Sequence, residues 1–585
     1  MRTDSGMITK LFFSLLPVQI MLIGISSMNA IVDSMMASNF IGPDALAMTG
    51  LFLPVVKIVE TVNMVLLGGS QILCGQFLGK NQIERTRGVF SLDICLITGF
   101  SLVITAVCLA VPETLAGILR ADSATREGLI RYIYGMAGGF LPEMVSLQLV
   151  SFLQIEQQEK RTYAGMTAMV GTNILLDFIF IRVLNWDMLG LGLATSISYV
   201  VFFIILGSYY FTKKAVIKYN SQLILASDIS PIIMIGIPGA LSTFCQALRG
   251  ILLNTLLLST AGNAGVSALS ALNSFGYLLY AFTAGIAAAT RLLGSVYIGE
   301  EDRKSLIAVM KVALLKGTPI VCGIAAVVMA MAGPITYLFY KDTTSEVYYL
   351  TEWLFRIYPL CMPLSAICVV FINYYQSFER MKIVNLLSAA DGILGIGAAS
   401  LILAPLYGAM GIWAAHVING VITTLIIIGY AWMINRKFPG SIEDLLTIPE
   451  DFGAAEDECI DISIHDAEEV ASTSEKIIEF CARNGVDHKR SFYAGLCMEE
   501  MADNIVEHGF DDGKKHFADV RVVYKNDELT LRIKDDCRAF DPKEKLALVD
   551  PDDVTKNIGL RMVQKLAKDM SYTNMLGLNV LTMTI

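Results

Sequence analysis

The chain has 585 residues, of which 54% are hydrophobic and 17% charged, against roughly 25% charged in an ordinary soluble domain. Its net charge of −10 belongs to the tail: Asp451 to Ile585 hold 28 acidic and 17 basic residues, leaving 26 acidic and 27 basic before them. This distribution excludes a purely soluble protein and a nucleic-acid binder held by bulk positive charge, and it predicts a membrane half followed by an acidic soluble domain. The 11 cysteines form no Cys-x-x-Cys pair and the five histidines no cluster, so no zinc site or disulfide framework is legible.

In chain order, the first 450 residues are a succession of apolar runs. Leu11 to Val32, Met188 to Thr212 and Gly408 to Asn435 each exceed the roughly 20 residues that a spanning helix needs. Nine segments with softer edges bring the expected spans to twelve, with ten or eleven as the alternative. They start near residues 10, 44, 89, 128, 161, 188, 231, 264, 306, 350, 382 and 408. The first span follows the N-terminus without a small-residue cleavage site, so it is expected to be a retained helix and not a signal peptide.

The two halves repeat. "SQILCGQFLGK" from Ser70 returns as "TRLLGSVYIGE" from Thr290, and the same offset of 220 aligns Gly42 with Gly262 and Glu159-Lys160 with Glu379-Arg380. Six spans per copy is an even number, so both copies enter the membrane in the same sense, related by an axis along its normal, with a ligand path between them. Lys and Arg divide 17 to 5 between alternate loops, Arg2 counting among the 17 and Arg120 among the five. The positive-inside rule then places both termini and the tail on the cytoplasmic side of a multi-pass plasma-membrane protein, where the tail has access to ATP. The expected domains are an N-lobe (1–218), a C-lobe (219–438), a linker (439–457) and a soluble domain (458–585).

Carboxylates inside apolar spans cost roughly 2.5–3.5 kcal/mol each on insertion scales, so each suggests a paired or hydrated site. Asp33 closes the first span, Asp177 lies in the fifth with Asn173 four residues earlier on the same face, and Thr195 is in the sixth. Two carboxylates with an amide and a hydroxyl suit a hard cation or a proton. The competing account puts Asp33 at the membrane interface and lets Asp177 cap or pair with a neighbour.

At "VDSMMASNFIG", the Asn-x-x-x-Asp of "NILLDFIFI", the Gly-rich ends of the second and eighth spans and the two-fold repeat, residues 7–438 resemble the multidrug and toxin extrusion (MATE) transporters. The resemblance implies a V-shaped pair of six-helix lobes exporting organic, often cationic, compounds in exchange for Na⁺ or H⁺, with Asp33, Asn173, Asp177 and Thr195 as the N-lobe cation site. Acids that some members carry in the seventh and tenth helices are absent here. Met is abundant at 27 residues, which suits promiscuous binding but equally suits ordinary apolar packing. No Gly-x4-Gly-Lys-Ser/Thr loop occurs, so the tail is not a P-loop motor.

In the tail, "IDISI" alternates with period two, "DVRVVY" and "LTLRI" flank a turn at Lys525-Asn526-Asp527-Glu528, and helical patterns cover about 467–484, 489–508 and 559–570. This predicts an α/β sandwich with helices on one face of a mixed sheet. Glu500, Asn504 and His508 share one helical stripe. Glu-x3-Asn-x3-His-Gly resembles the N-box of the GHKL (histidine-kinase-type) ATPases, specifically the anti-sigma-factor serine kinases. The resemblance, over residues 458–585, implies Glu500 as the base that deprotonates an attacking hydroxyl, Asn504 as a ligand of Mg²⁺ on ATP, and His508 as part of the nucleotide site. It also implies Asp535 as the adenine acceptor, Gly559 at a phosphate-binding helix N-terminus, and an anti-anti-sigma-like protein as partner. The glycines of the family's two glycine boxes are replaced by Cys537, Ala539 and Asn557.

Together these features predict a polytopic α-helical membrane protein of two six-helix lobes with a GHKL-like α/β sandwich behind it. The expected function is cation-coupled export of small organic compounds, in contact with membrane lipid and without a nucleic-acid partner, under a tail that binds ATP and Mg²⁺ and transfers phosphate to serine if it turns over. A membrane-anchored signalling kinase with a non-transporting sensor half and a lipid-linked sugar flippase are the rivals.

Overall fold

The computed structural model describes residues 5–36, 40–41, 43–119, 125–466, 468–510, 516–547 and 558–585. Arg2, Gly42, Arg120 and Asn557, used above, lie outside the described residues. Among those described, nine helices are long and apolar enough to cross a membrane, or ten if Arg126–Ala137 and Phe140–Ile155, bent by 47° where they join, make one span. Two helical runs break at glycines: Ile229–Gly299 at Gly262 (φ 56°, ψ −150°) and Gly395–Asn435 at Gly408 (φ 59°, ψ −139°). Only glycine occupies that backbone region without strain. The spans expected to begin near 264 and 408 begin at these two breaks.

The repeat is visible in the packing. A Cβ on Gly79 would overlap the carbonyl of Val296 and the backbone of Gly299, while one on Gly299 would overlap Gln76; a Cβ on Gly75 would strike the side chain of Ser295. Arg291 Nε donates to Gln71 Oε1 at 2.7 Å. Gly79 and Gly299, Gly75 and Ser295, and Gln71 and Arg291 are each 220 apart. Equivalent residues touch each other only on a two-fold axis, so the lobes meet along their second and eighth helices about the pseudo-axis that the repeat predicts.

The ends of these helices at residues 79 and 299 share one face of the bundle with the basic loops. Arg85 pairs with Asp228 (2.9 Å), and the Glu156 carboxylate accepts from Tyr209 (2.8 Å), Val216 N (2.7 Å) and Ile217 N (3.0 Å). The stretch expected to be a plain linker is anchored on this face. Ile442–Leu446 is a short helix with a Ser441/Asp444 capping box, and the hydroxyls of Tyr374 and Tyr375 donate to the carbonyls of Leu446 (3.0 Å) and Leu445 (2.9 Å).

Beyond it, five strands form one sheet in the order β1-β2-β3-β5-β4: β1 Cys459–Ile464, β2 Ala518–Lys525, β3 Glu528–Asp535, β4 Asp569–Met575 and β5 Leu578–Thr584. Among the described residues every pairing is antiparallel, which corrects the expected mixed sheet. The cause is the connections: β2–β3 and β4–β5 are hairpins closed by the two-residue turns Asn526-Asp527 and Leu576-Gly577, all four residues at positive φ. The last helix, Ile558–Leu566, also stops short of the Met570 that its helical pattern suggested, and Asp569–Met575 forms β4. One face of the sheet, including Ile462, Val520, Leu531, Ile533 and Met583, packs on the helices Glu468–Arg483, His488–Gly509 and Ile558–Leu566. The other face lies against the bundle.

Candidate functional site

The fifth helix, Glu159–Asp177, ends in a π-turn at Phe178–Val183, a local widening that recurs where helices carry function. Asn173 and Asp177 sit one turn apart just before it, and both are fully buried. Opposite them the Thr195 hydroxyl, 6% exposed, reaches Asp33 Oδ2 at 3.2 Å and the Leu191 carbonyl at 3.1 Å. Asp33 is also within interaction range of Asp177 and Asn173. The first, fifth and sixth helices therefore bring all four expected residues together. Asp33 Oδ1, both carboxylate oxygens of Asp177 and both amide atoms of Asn173 have no hydrogen-bond partner among the described residues. Buried polar atoms are rarely left so; four unpartnered oxygens on residues brought together in this way suit a hard cation or a proton.

In the tail, the helix His488–Gly509 carries Glu500 and Asn504 on one stripe, and Asn504 Nδ2 donates to the Glu500 carbonyl at 2.5 Å. That leaves Oδ1, the atom that Mg²⁺ would take. A Cβ on Gly559 would overlap the Glu500 carboxylate, so Glu500 stands against the start of the helix Ile558–Leu566, whose amides attract anions. Asp535, 4% exposed at the end of β3, accepts from Asn579 Nδ2 (2.6 Å) and Cys537 N (3.0 Å). Burial raises its carboxyl above the ordinary range, and the bonds from Asn579 and Cys537 oppose that rise. His508 is exposed near the end of its helix, next to Gly509, where a Cβ would strike Cys537. The residues present fit a nucleotide with Mg²⁺ at Asn504, Gly559 and Asp535. Cys537 stands where the family pattern has a glycine.

The MatE family model matches residues 17–179 and 238–401. The chain belongs to the MATE family. A second model, the histidine kinase-like ATPase domain, matches residues 465–585, so this MATE chain carries such a domain behind its membrane half. Among curated relatives, the multidrug export protein MepA of Staphylococcus aureus is 28% identical over 222 residues, 37% of this chain and 48% of MepA. MepA of Staphylococcus haemolyticus is 25% identical over 259 residues, 42% of this chain and 55% of that protein. The chain thus spans about half the length of the curated relatives it matches. A MOP superfamily transporter from Pyrococcus furiosus superposes with a TM-score of 0.66 at 21% identity, over 75% of this chain and 97% of that one. A mutant of the Vibrio cholerae MATE transporter VcmN does so with a TM-score of 0.67 at 17% identity, over 74% and 99%. These two show the fold.

Three acids inside the MATE half escaped the sequence reading, one buried and two partly buried. Asp93 on the third helix is fully buried and its oxygens have no partner among the described residues. Glu143 is within interaction range of Tyr199. Asp391 accepts from Asn419 Nδ2 at 3.0 Å within a π-turn, Ala390–Leu394, that follows the helix Met381–Ala389 as Phe178–Val183 follows the fifth. The signal was available: each is an acid inside an apolar run. The resemblance places C-lobe acids in the seventh and tenth helices, whereas Asp391 is in the eleventh.

Proposed function

We propose that this MATE protein is a cation-coupled antiporter that exports small organic, often cationic, compounds in exchange for Na⁺ or H⁺, under a cytoplasmic domain that binds ATP and Mg²⁺. The observation that carries the reading is the unpartnered oxygen set of Asp33, Asn173 and Asp177 with Thr195 beside it. A carboxylate pair desolvated to this degree is costly to leave uncompensated, and a bound cation offsets its charge while a bound proton removes it, so loading and unloading of the site is linked to the arrangement of the surrounding helices. The similarity to multidrug export proteins supports an organic substrate, and the 17 to 5 division of loop charges supports cytoplasmic placement of both termini and the tail. The boundaries 1–218, 219–438, 439–457 and 458–585 divide the labour: two lobes, a tether and a regulatory domain.

In the tail, Asp535 receives the adenine amino group, Asn504 holds Mg²⁺ and the amides at Gly559 meet phosphate, with His508 at the rim. ATP with Mg²⁺ would supply a transferable phosphoryl group. Glu500 is placed to accept the proton of an attacking serine hydroxyl from an anti-anti-sigma-like partner. Transport into proteoliposomes with imposed Na⁺ or H⁺ gradients, with and without ATP on the tail side, tests the whole reading. Uptake that ignores both gradients would reject cation coupling, and an unchanged rate with ATP would reject regulation by the nucleotide.

A further inference from the structure

We propose that the bundle-facing side of the tail sheet is a clamp: it binds the ends of both lobes at once and holds that side of the transporter closed, so the tail must lift before the lobes part there. The proposal rests on the transporter reading of the membrane half.

The sheet lies across the pseudo-axis. On the C-lobe, between the eighth and ninth spans, Asp302 pairs with Arg521 of β2 (2.5 Å) and Lys304 with Asp461 of β1 (2.8 Å). Glu300 receives both Lys534 and Arg532 (3.7 Å) of β3. On the N-lobe, Lys10 of the first helix pairs with Asp536 (2.6 Å) and Asn81 bonds Ser571 of β4. Leu576 N, in the β4–β5 turn, donates to the carbonyl of Ile155 at 2.8 Å. Strands β1 to β3 thus hold the C-lobe, while Asp536, just after β3, and the β4–β5 hairpin hold the N-lobe.

The strand register shows that this face is incomplete alone. Arg521 is directly opposite Asp461 on one side and Arg532 on the other. Two arginines facing each other on a sheet repel, and these have side chains only 11% and 16% exposed. Buried charge needs a partner; Glu300 and Asp302 of the C-lobe supply it. An unpartnered domain would instead show a solvated polar face here. The lobes meet where the clamp sits, since Gly79 and Gly299, in mutual backbone contact, end the second and eighth helices just before Asn81 and Glu300. A sheet bonded to Asn81 and Glu300 at once therefore opposes separation of these two helix ends.

The test measures inter-lobe distance in the full chain, with spin-labelled side chains introduced at Lys160 of one lobe and Lys382 of the other, both exposed. Arg521→Asp should add a longer-distance population absent from the otherwise wild-type protein. Adding Asp302→Arg, which swaps the pair, should remove it again. An unchanged distribution in Arg521→Asp, or a swap no closer to wild type than the single variant, overturns the clamp. Because the readout is distance, failure of the transport reading shows itself separately, as absence of gradient-driven uptake by the wild type.

Discussion

Asp302→Asn tests the docking of the tail at its most buried charge. Asp302 Oδ1 accepts from Arg521 Nη1 at 2.5 Å and from Ser305 N at 3.1 Å, and Oδ2 accepts from Ser305 Oγ at 2.7 Å. Burial by itself would raise its pKa, but Arg521, Lys534 and the two Ser305 bonds together hold it down, from an ordinary 3.8 to about 2. At 1.36 kcal/mol per pKa unit, that difference is about 2 kcal/mol favouring the charged form. Asn keeps one acceptor oxygen for Ser305 N, the cap of the helix Arg303–Val312, and loses the charge and the second acceptor, so the docked state should weaken by roughly 1–2 kcal/mol, about five- to thirtyfold in the opening equilibrium. Asp302→Ala also removes the cap and strands Arg521 with Asp461 at 3.6 Å; loss of one member of a buried pair costs about 3–5 kcal/mol, two orders of magnitude or more. Cys459 is a native reporter, being 9% exposed on β1 beside Arg521 and Lys304. Its labelling by a soluble maleimide, followed by peptide mass spectrometry, should accelerate in the order wild type, Asn, Ala. Less than a threefold gain in the Ala variant would refute the assignment of docking energy to this pair.

Asp177→Asn and Asp33→Asn should each abolish gradient-driven export in proteoliposomes while leaving expression intact, and Thr195→Ala should act more mildly, losing one hydrogen bond of about 1 kcal/mol; wild-type rates in both Asn variants would remove the cation site. Asp535→Asn should weaken ATP binding roughly ten- to a hundredfold, as expected for one charged hydrogen bond, measured by calorimetry on the full chain in nanodiscs. Glu500→Ala should retain ATP affinity and lose phosphotransfer to a serine-bearing partner, because its carboxylate is assigned only the proton. Since Asp302 is held below its ordinary value, its share of the docking is fully present above about pH 4 and is lost as pH falls toward 2; Cys459 labelling, corrected for thiolate fraction, should therefore show no Asp302-dependent change between pH 5 and 8.

The membrane half was legible because its signals are local or periodic. Apolar runs announce helices, and the offset of 220 announced a two-fold relation that Gln71–Arg291 and Gly79–Gly299 display. Asn173 and Asp177 were found by the four-residue spacing of polar groups in an apolar run. The long runs containing Gly262 and Gly408 were divided correctly from hydropathy and repeat, although backbone hydrogen bonding runs on through the breaks. Strand β4 was missed because "DMSYTNM" follows a helical pattern and has no clean alternation. The docking face was missed for a different reason. Arg521, Arg532 and Lys534 are the polar positions of alternating strands, and alternation predicts solvent on that side. Only the placement of Glu300 and Asp302 by a chain segment more than two hundred residues earlier makes them buried partners.

Strand β3 links the two assigned sites of the tail. Arg532 and Lys534 point to Glu300, while Ile533 and Asp535, one residue out of phase, lie on the nucleotide side; Asp536 then returns to Lys10. Lys10 lies near the start of the helix Ser5–Met36, whose far end carries Asp33. Between an adenine on Asp535 and a cation on Asp33 there are therefore one peptide unit, one ion pair and one helix. Such a chain transmits anything only if one of its members has two arrangements that both ligands bias. The Lys10–Asp536 pair is the candidate, because the Lys10 side chain is half exposed at 54% and the Asp536 side chain buried at 6%, so it can be broken without stranding a second buried charge on the membrane side. Lys10→Ala should leave the C-lobe pairs intact, Cys459 labelling near wild type and ATP affinity within a few-fold, yet remove the effect of ATP on gradient-driven transport. A Lys10→Ala protein whose transport still responds to ATP as wild type does would show that the nucleotide acts through the C-lobe contacts instead.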